Sequence, residues 1–195
     1  EELEKINNSS VLVFGLGGVG CAACESLVRA GIGKIGICDK DIYEESNLNR
    51  QLYATKESLG KNKVDVTYDR IKSIRDIEIV KYPFDFNKEN EDKINFSDYS
   101  YIIDAIDTIA SKILRIEKAR KENIKVISAM GTGNKYDPTK FKVSYIEKTK
   151  IDPIARIMRR ELKDRNLKKV PVVYSEELPQ KTQNRTPGSI SFVPP

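Results

Sequence analysis

The hexapeptide Gly15-Leu16-Gly17-Gly18-Val19-Gly20 constrains this chain more than any other feature, because of what flanks it. The apolar run Val11-Leu12-Val13-Phe14 precedes it and has the length and composition of a buried parallel strand. A helix is predicted from about Val19 to Ala30, stopped by Gly31, and a second strand over Ile35–Cys38, ending at Asp39. Together they make a strand-helix-strand unit of about thirty residues. In that setting each glycine has a mechanical reason. Gly15 permits the tight turn, Gly17 and Gly18 let main chain approach phosphates, and Gly20 lets the helix pack closely on the strand. The helix N-terminus favours negative charge. Asp39, nineteen residues after Gly20, stands where a carboxylate would accept hydrogen bonds from ribose hydroxyls. These residues predict a nucleotide site and leave NAD and ATP both open.

The rest of the chain repeats the alternation. Helices are expected over Lys61–Ile74, with Val64, Ile71 and Ile74 near one face, and over Ile109–Asn123. Strands are expected over Ile77–Lys81, Tyr101–Ala105 and Lys125–Ala129. The polar stretch Asp41–Ala54 has no periodicity and is a long loop, a class of segment that usually carries function. After Gly131-Thr132-Gly133 the pattern changes to a strand over Phe141–Tyr145, a helix over Pro153–Arg165 and a strand over Val170–Tyr174. The stretch Glu176–Gly188, with Pro179 and Pro187, is expected to be mobile. The fold class is therefore α/β: a Rossmann-like, doubly wound, mostly parallel sheet with extra C-terminal strands and a basic helix. One domain spans 1–195, with a nucleotide-binding core over 1–134 and a substrate-facing extension over 135–195.

Composition removes several classes of chemistry. The chain has no His, so Ser-His-Asp and Cys-His nucleophile systems and His general acids are excluded. Positioning and charge stabilisation by Lys, Arg, Asp and main-chain donors suit what remains. The net charge of +5 favours an anionic partner. Cys21, Cys24 and Cys38 are too few for a disulfide framework, and a cytoplasmic location is expected. The apolar stretch Val11–Cys24 is too short and too rich in Gly to insert in a membrane, and Glu1-Glu2-Leu3-Glu4-Lys5 lacks a secretory pattern. Cys21 and Cys24 form a single CxxC inside the predicted helix, so Cys and His cannot supply four zinc ligands.

Three later motifs move the choice of nucleotide towards ATP. The segment Asp39-Lys40-Asp41-Ile42-Tyr43-Glu44-Glu45-Ser46-Asn47-Leu48-Asn49-Arg50-Gln51 resembles the corresponding loop of the ubiquitin-activating, ThiF and MoeB adenylating superfamily. Lys63, in Gly60-Lys61-Asn62-Lys63, is similar to that superfamily's G-x-x-K lysine, and Asp104-Ala105-Ile106-Asp107 to its D-x-x-D. Arg50 and Lys63 supply two cations beside a loop that already cradles phosphates, which a triphosphate needs more than a dinucleotide does. Asp107 leaves a carboxylate in the same crevice, able to hold Mg²⁺ through oxygen or to cap the helix that follows. The resemblance implies that Arg50, Lys63 and Asp107 are catalytic. It also implies that Gly15, Gly17, Gly18, Gly20, Asp39, Asp41, Asn47, Asn49, Gln51 and Thr108 help hold ATP.

The second half narrows the resemblance. Lys148-Thr149-Lys150-Ile151-Asp152-Pro153-Ile154-Ala155-Arg156 resembles a segment of the tRNA threonylcarbamoyladenosine dehydratases, as do Asp137-Pro138-Thr139, 172–177 and 188–194. That resemblance implies ATP-dependent cyclisation of threonylcarbamoyladenosine in tRNA through an acyl-adenylate. It implies a homodimer too, and a chain shortened at both ends. The tRNA surface is expected at Lys148, Arg156, Arg159, Arg160 and Lys163, the last four at i, i+3, i+4 and i+7 on one helix stripe. A solvated face with ion pairs, including Glu161, explains the stripe as well. The main alternative is a ThiF- or MoeB-like adenylyltransferase acting on the C-terminal glycine of a ubiquitin-like sulfur carrier, with a carrier or cysteine-desulfurase-type protein as partner. An NAD-dependent dehydrogenase and a non-catalytic ATP-binding partner of tRNA are further readings.

Overall fold

The computed structural model describes residues 1–180 and 188–194. Strands β1 (Ser10–Phe14), β2 (Lys34–Cys38), β3 (Glu78–Tyr82), β4 (Tyr101–Asp104), β5 (Lys125–Ala129), β6 (Phe141–Tyr145) and β7 (Pro171–Ser175) form one sheet in the order β3-β2-β1-β4-β5-β7-β6. Every pairing is parallel except β6 with β7. Helices α1 (Glu2–Asn7), α2 (Gly18–Ala30), α3 (Lys63–Ile74), α4 (Ile109–Lys121) and α5 (Pro153–Asp164) complete the fold. None of the described helices is long and apolar enough to cross a membrane.

The sheet divides the apolar side chains into two cores. Successive residues of a strand point to opposite faces. Val11 and Val13 accordingly pack with Cys21, Cys24 and Val28 of α2 and with Val64 and Ile71 of α3. Leu12 and Phe14 pack with Ile113, Ile116 and Ala119 of α4 and with Ala155, Met158 and Leu162 of α5. Burial on both faces explains why β1 is an uninterrupted apolar run. The order reverses between β1 and β4, so the crevice beyond their carboxyl ends opens where Phe14 is flanked by Cys38 and Asp104.

Several expected boundaries shift. α3 begins at Lys63 rather than Lys61, because Ile42 forms an antiparallel bridge with Asn62 and holds it extended. The same loop, 41–54, is more ordered than its composition implies: Tyr43 is 1% exposed and bridges Leu59, and a 3₁₀ turn spans Glu45–Asn47. α4 stops at Lys121 because Asn123 adopts a φ of 58°. β3 and β7 each begin one residue later than expected. The short helix α1 has no apolar periodicity to reveal it in the sequence, and none of its residues is fully buried. On α5 the buried stripe is Ala155, Met158 and Leu162, whereas Ile154 and Ile157 are only half-buried. Pro187, part of the expected mobile stretch, lies outside the described residues.

Candidate nucleotide-binding site

The turn after β1 is built as the glycines require. Gly15 has a φ of +87°, and a Cβ there would lie 2.7 Å from the Ala105 carbonyl oxygen. A Cβ on Gly20 would lie 1.7 Å from the Gly15 carbonyl oxygen, so only glycine lets α2 start this close to the turn. A Cβ on Gly17 meets no atom nearer than 3.7 Å; the loop main chain there is open. No side chain caps the N-terminus of α2, which leaves its first amides free for an anion.

Asp39 fastens this turn to the next loop. Its Oδ2 accepts from the Leu16 amide at 2.7 Å and its Oδ1 from the Asp41 amide at 2.8 Å. Each carboxylate oxygen retains a further acceptor site, so ribose hydroxyls can still be bound. The Asp41 carbonyl then accepts from the Lys63 amide at 2.9 Å, and its Oδ2 lies 3.6 Å from the Lys63 Nζ. Lys63 is 6% exposed, with its ammonium 5.8 Å from the centre of the Tyr43 ring. Arg50 donates through Nη1 to the Ser46 carbonyl at 2.7 Å and to Asn49 Oδ1 at 3.0 Å. These bonds fix the two cations before any ligand arrives.

A cleft of about 370 Å³ runs along the carboxyl ends of β1, β2 and β4. Gly15, Gly17, Gly18, Asp39, Asp41, Arg50, Gln51, Lys63, Asp107 and Thr108 line it, as expected. Gly20 does not; it sits beneath, against Gly15. Asn47 and Asn49 do not line it either, contrary to expectation. The Asn47 Oδ1 accepts from the Glu44 amide in a reciprocal cap of the 3₁₀ turn, and Asn49 donates to the Ser189 carbonyl at 2.8 Å. Both asparagines build the loop that presents Arg50 and Gln51. The carboxylate of Asp107 is exposed and takes part in no described ion pair, and its nearest hydroxyl, Thr108 Oγ1, is 3.5 Å away. It does not cap α4, whose N-cap is Thr108 without a side-chain bond.

A second cleft, about 470 Å³, adjoins the first and shares Arg50, Asp107 and Thr132 with it. Two buried ion pairs support its floor. Lys112 Nζ donates to Asp104 Oδ2 at 3.0 Å and to the Ala129 carbonyl at 2.6 Å. Lys135 pairs with Asp152 and donates to the Gly131 carbonyl at 2.6 Å. The Asp152 Oδ1 in turn caps α5 through the Ala155 amide at 2.8 Å.

The cysteines are chemically quiet. Burial pushes the Cys21 thiol up to about 11 and the Cys38 thiol up to about 12, and raises Cys24 well above the ordinary value. Such thiols are almost entirely protonated at neutral pH and poor nucleophiles.

The basic stripe on α5 is narrower than the sequence implies. Arg156, Arg160 and Lys163, and Lys148 before the helix, are exposed. Arg159 is half-buried, and its Nη1 donates to the Thr149 carbonyl at 2.6 Å and Oγ1 at 2.8 Å. Its guanidinium is engaged in holding that segment. Arg160 lies 3.1 Å from Glu161, as a solvated face predicts.

Comparison with known proteins shows a match to the ThiF family over residues 1–171. The chain belongs to the ThiF family. Within that family it is similar to the tRNA threonylcarbamoyladenosine dehydratase of Bacillus subtilis, 42% identical over 183 residues, with 92% of this chain and 71% of that protein covered. The Escherichia coli enzyme of the same name is 36% identical, over 83% of this chain and 60% of its own length. The chain thus spans only part of these ThiF-family relatives. The crystal structure of the E. coli dehydratase in complex with AMP superposes with a TM-score of 0.91 at 31% identity, covering 98% of this chain and 82% of that one.

Sequence reasoning missed three parts of the ThiF-type cleft. Phe84, Asp85 and Phe86 follow directly on β3, and the rule that ligands bind beyond the carboxyl ends of parallel strands would have flagged them. Ser111 and Arg115 come from α4 and Pro194 from the far end of the chain. No local motif marks Ser111 or Arg115, and Pro194 belongs to the family-like segment 188–194 without any spacing that ties it to the glycine loop.

Proposed function

We propose that this chain binds ATP and uses it to cyclise threonylcarbamoyladenosine in tRNA with net loss of water. The observation that carries the proposal is the shared wall of the two clefts, where Arg50 and Asp107 face both. A nucleotide on the glycine loop and an acyl substrate in the second cleft would meet there. The threonyl carboxylate attacks the α-phosphorus of ATP, pyrophosphate leaves, and an acyl-adenylate forms. The carbamoyl group of the same nucleoside then attacks the activated carbonyl carbon and expels AMP. That attack is intramolecular, which supplies a large part of the rate and needs no enzyme nucleophile. The absence of His and the protonated, buried thiols are consistent with such a route.

The roles of the chain's own residues follow. Asp39 orients the ribose, the free amides of α2 and the guanidinium of Arg50 bind phosphate, and Lys63 stabilises charge developing on the leaving pyrophosphate. The Asp107 carboxylate, exposed and unpaired among the described residues, fits Mg²⁺; when bound, the ion would neutralise phosphate charge. Arg156, Arg160, Lys163 and Lys148 would meet the tRNA backbone. A homodimer in the cytoplasm is part of the same reading, its assembly tested by sedimentation of the purified chain.

The decisive experiment is mass spectrometry of tRNA nucleosides after incubation with the chain and ATP. A mass decrease of about 18 Da, one water, is expected for threonylcarbamoyladenosine once the intramolecular attack has closed the ring. Lys63→Met and Asp107→Asn should abolish it while the melting curve is unchanged. Full cyclisation by either variant would reject the roles assigned to Lys63 and Asp107. Formation of an adenylate only with a sulfur-carrier protein would reject the substrate.

A further inference from the structure

We infer that Arg115 recognises the nucleobase of the bound nucleotide. The inference rests on the reading above that this cleft holds ATP. Arg115 is 3% exposed, yet it lines the cleft. Its Nε and Nη1 are buried and donate to no acceptor among the described residues. A guanidinium stays charged and carries five donors, so leaving these unmade in the interior is costly.

The described residues do not supply the missing acceptors. Asp39 bonds to two main-chain amides and Asp85 to Lys40 at 3.3 Å, and neither carboxylate accepts from Arg115 Nε or Nη1. Asp104 Oδ2 accepts from Lys112 and from Ser128, while its Oδ1 also lacks a partner and forms no ion pair with Arg115. What holds the guanidinium is aromatic: its Cζ lies 4.6 Å from the centre of the Phe14 ring and 5.4 Å from that of Phe86. It is therefore pre-positioned from below, with unmade bonds, at a ligand site.

The position within the cleft decides which part of the ligand it meets. The glycine loop, Arg50 and Lys63 define the phosphate end, and Asp39 the ribose. Elsewhere the lining includes Phe84, Phe86 and Arg115 beside Ala105 and Ile106, and two aromatic rings, apolar side chains and a planar cation suit a flat heterocycle. A purine offers ring nitrogens that only accept hydrogen bonds, and Arg115 only donates. The chemistry matches an acceptor edge of the base rather than its amino group.

The test measures binding of ATP, ribose 5′-triphosphate and the 1-, 3- and 7-deaza analogues of ATP to the unchanged chain, to Arg115→Met and to Arg115→Lys. A lost hydrogen bond to a charged donor predicts that Arg115→Met weakens ATP by about tenfold to a hundredfold. Ribose 5′-triphosphate should change less than about twofold, within the scatter of a surface substitution. One deaza analogue should be weakened in the unchanged chain and show no further loss in Arg115→Met. Arg115→Lys, which keeps charge without the fork, should lose affinity for ATP only. Equal weakening of ATP and ribose 5′-triphosphate, or unchanged ATP affinity, overturns the inference. Should Arg115→Met fail to fold, full-strength binding of all three deaza analogues by the unchanged chain overturns it too. An unchanged chain that binds no ATP would instead refute the nucleotide assignment itself.

Discussion

Replacing Lys112 by Met should be one of the most damaging conservative changes in this chain. Lys112 and Asp104 are both 0% exposed. The Lys112 ammonium is bonded to Asp104 Oδ2 at 3.0 Å, Ser128 Oγ at 3.4 Å and the Ala129 carbonyl at 2.6 Å. Ser128 donates to the same Asp104 oxygen at 2.5 Å, and Asp104 Oδ1 has no partner among the described residues. Met fills nearly the same volume, so packing is kept and no large cavity opens. The loss is electrostatic: a carboxylate remains in the interior with one hydroxyl donor. Breaking a buried pair in this way costs about 3–5 kcal/mol, a large part of a domain's stability of roughly 5–15 kcal/mol. Adding Asp104→Asn removes the stranded charge and should recover part of the loss, leaving about 1–3 kcal/mol for the imperfectly bonded amide. The chain has no Trp, so urea unfolding followed by far-ultraviolet circular dichroism is the suitable assay. If Lys112→Met lies within about 1 kcal/mol of the unchanged chain, below the range for a broken buried pair, the pair is not what holds the ends of β4 and β5 together. If the double variant is no more stable than the sum of the singles, the charge argument fails.

Four other predictions test other links. Gly20→Ala should abolish nucleotide binding and lower the melting temperature, because its Cβ would fall 1.7 Å from the Gly15 carbonyl oxygen; near-normal ATP affinity by calorimetry would refute the close-packing role. Glu25 is held down from 4.5 to about 2, chiefly by its hydrogen bond to Arg70 and then by Arg29 and Tyr53. Its stabilising contribution is therefore complete above about pH 4.5 and lost as pH falls towards 2, worth about 1–2 kcal/mol after screening of the exposed arginines, and Glu25→Gln should flatten the acid limb of the stability curve. Arg159→Ala should cost roughly 1 kcal/mol of stability through its bonds to Thr149 and leave the salt dependence of tRNA binding unchanged. Removing Arg156, Arg160 and Lys163 together should instead reduce that salt slope by about one unit for each phosphate no longer neutralised, and an unchanged slope would make the stripe mere surface.

Much of the fold and of the glycine-loop end of the candidate cleft was legible along the chain, for a local reason. Gly15–Gly20 and Asp39 lie within one strand-helix-strand unit, where sterics and period confine them. Arg50, Lys63 and Asp107 belong to ordered motifs at carboxyl ends of strands or in the loops just beyond. Asn47 and Asn49 share those motifs, but which member of a loop faces the ligand and which ties the loop together depends on side-chain bonds no spacing specifies.

Tertiary structure decided what depends on distant segments meeting. Lys112 with Asp104, Lys135 with Asp152, Arg159 with Thr149, and Arg115 between Phe14 and Phe86 are ordinary charges until the sheet and helices enclose them. Burial then makes each one either a required partner or an unmet donor. The same packing sets the second cleft beside the first, so that Arg50 and Asp107 face both. Periodicity encodes which residues are apolar and which turn is tight. It carries no record of where a charge will lose its water, and that is settled only when the two cores close on either side of the sheet.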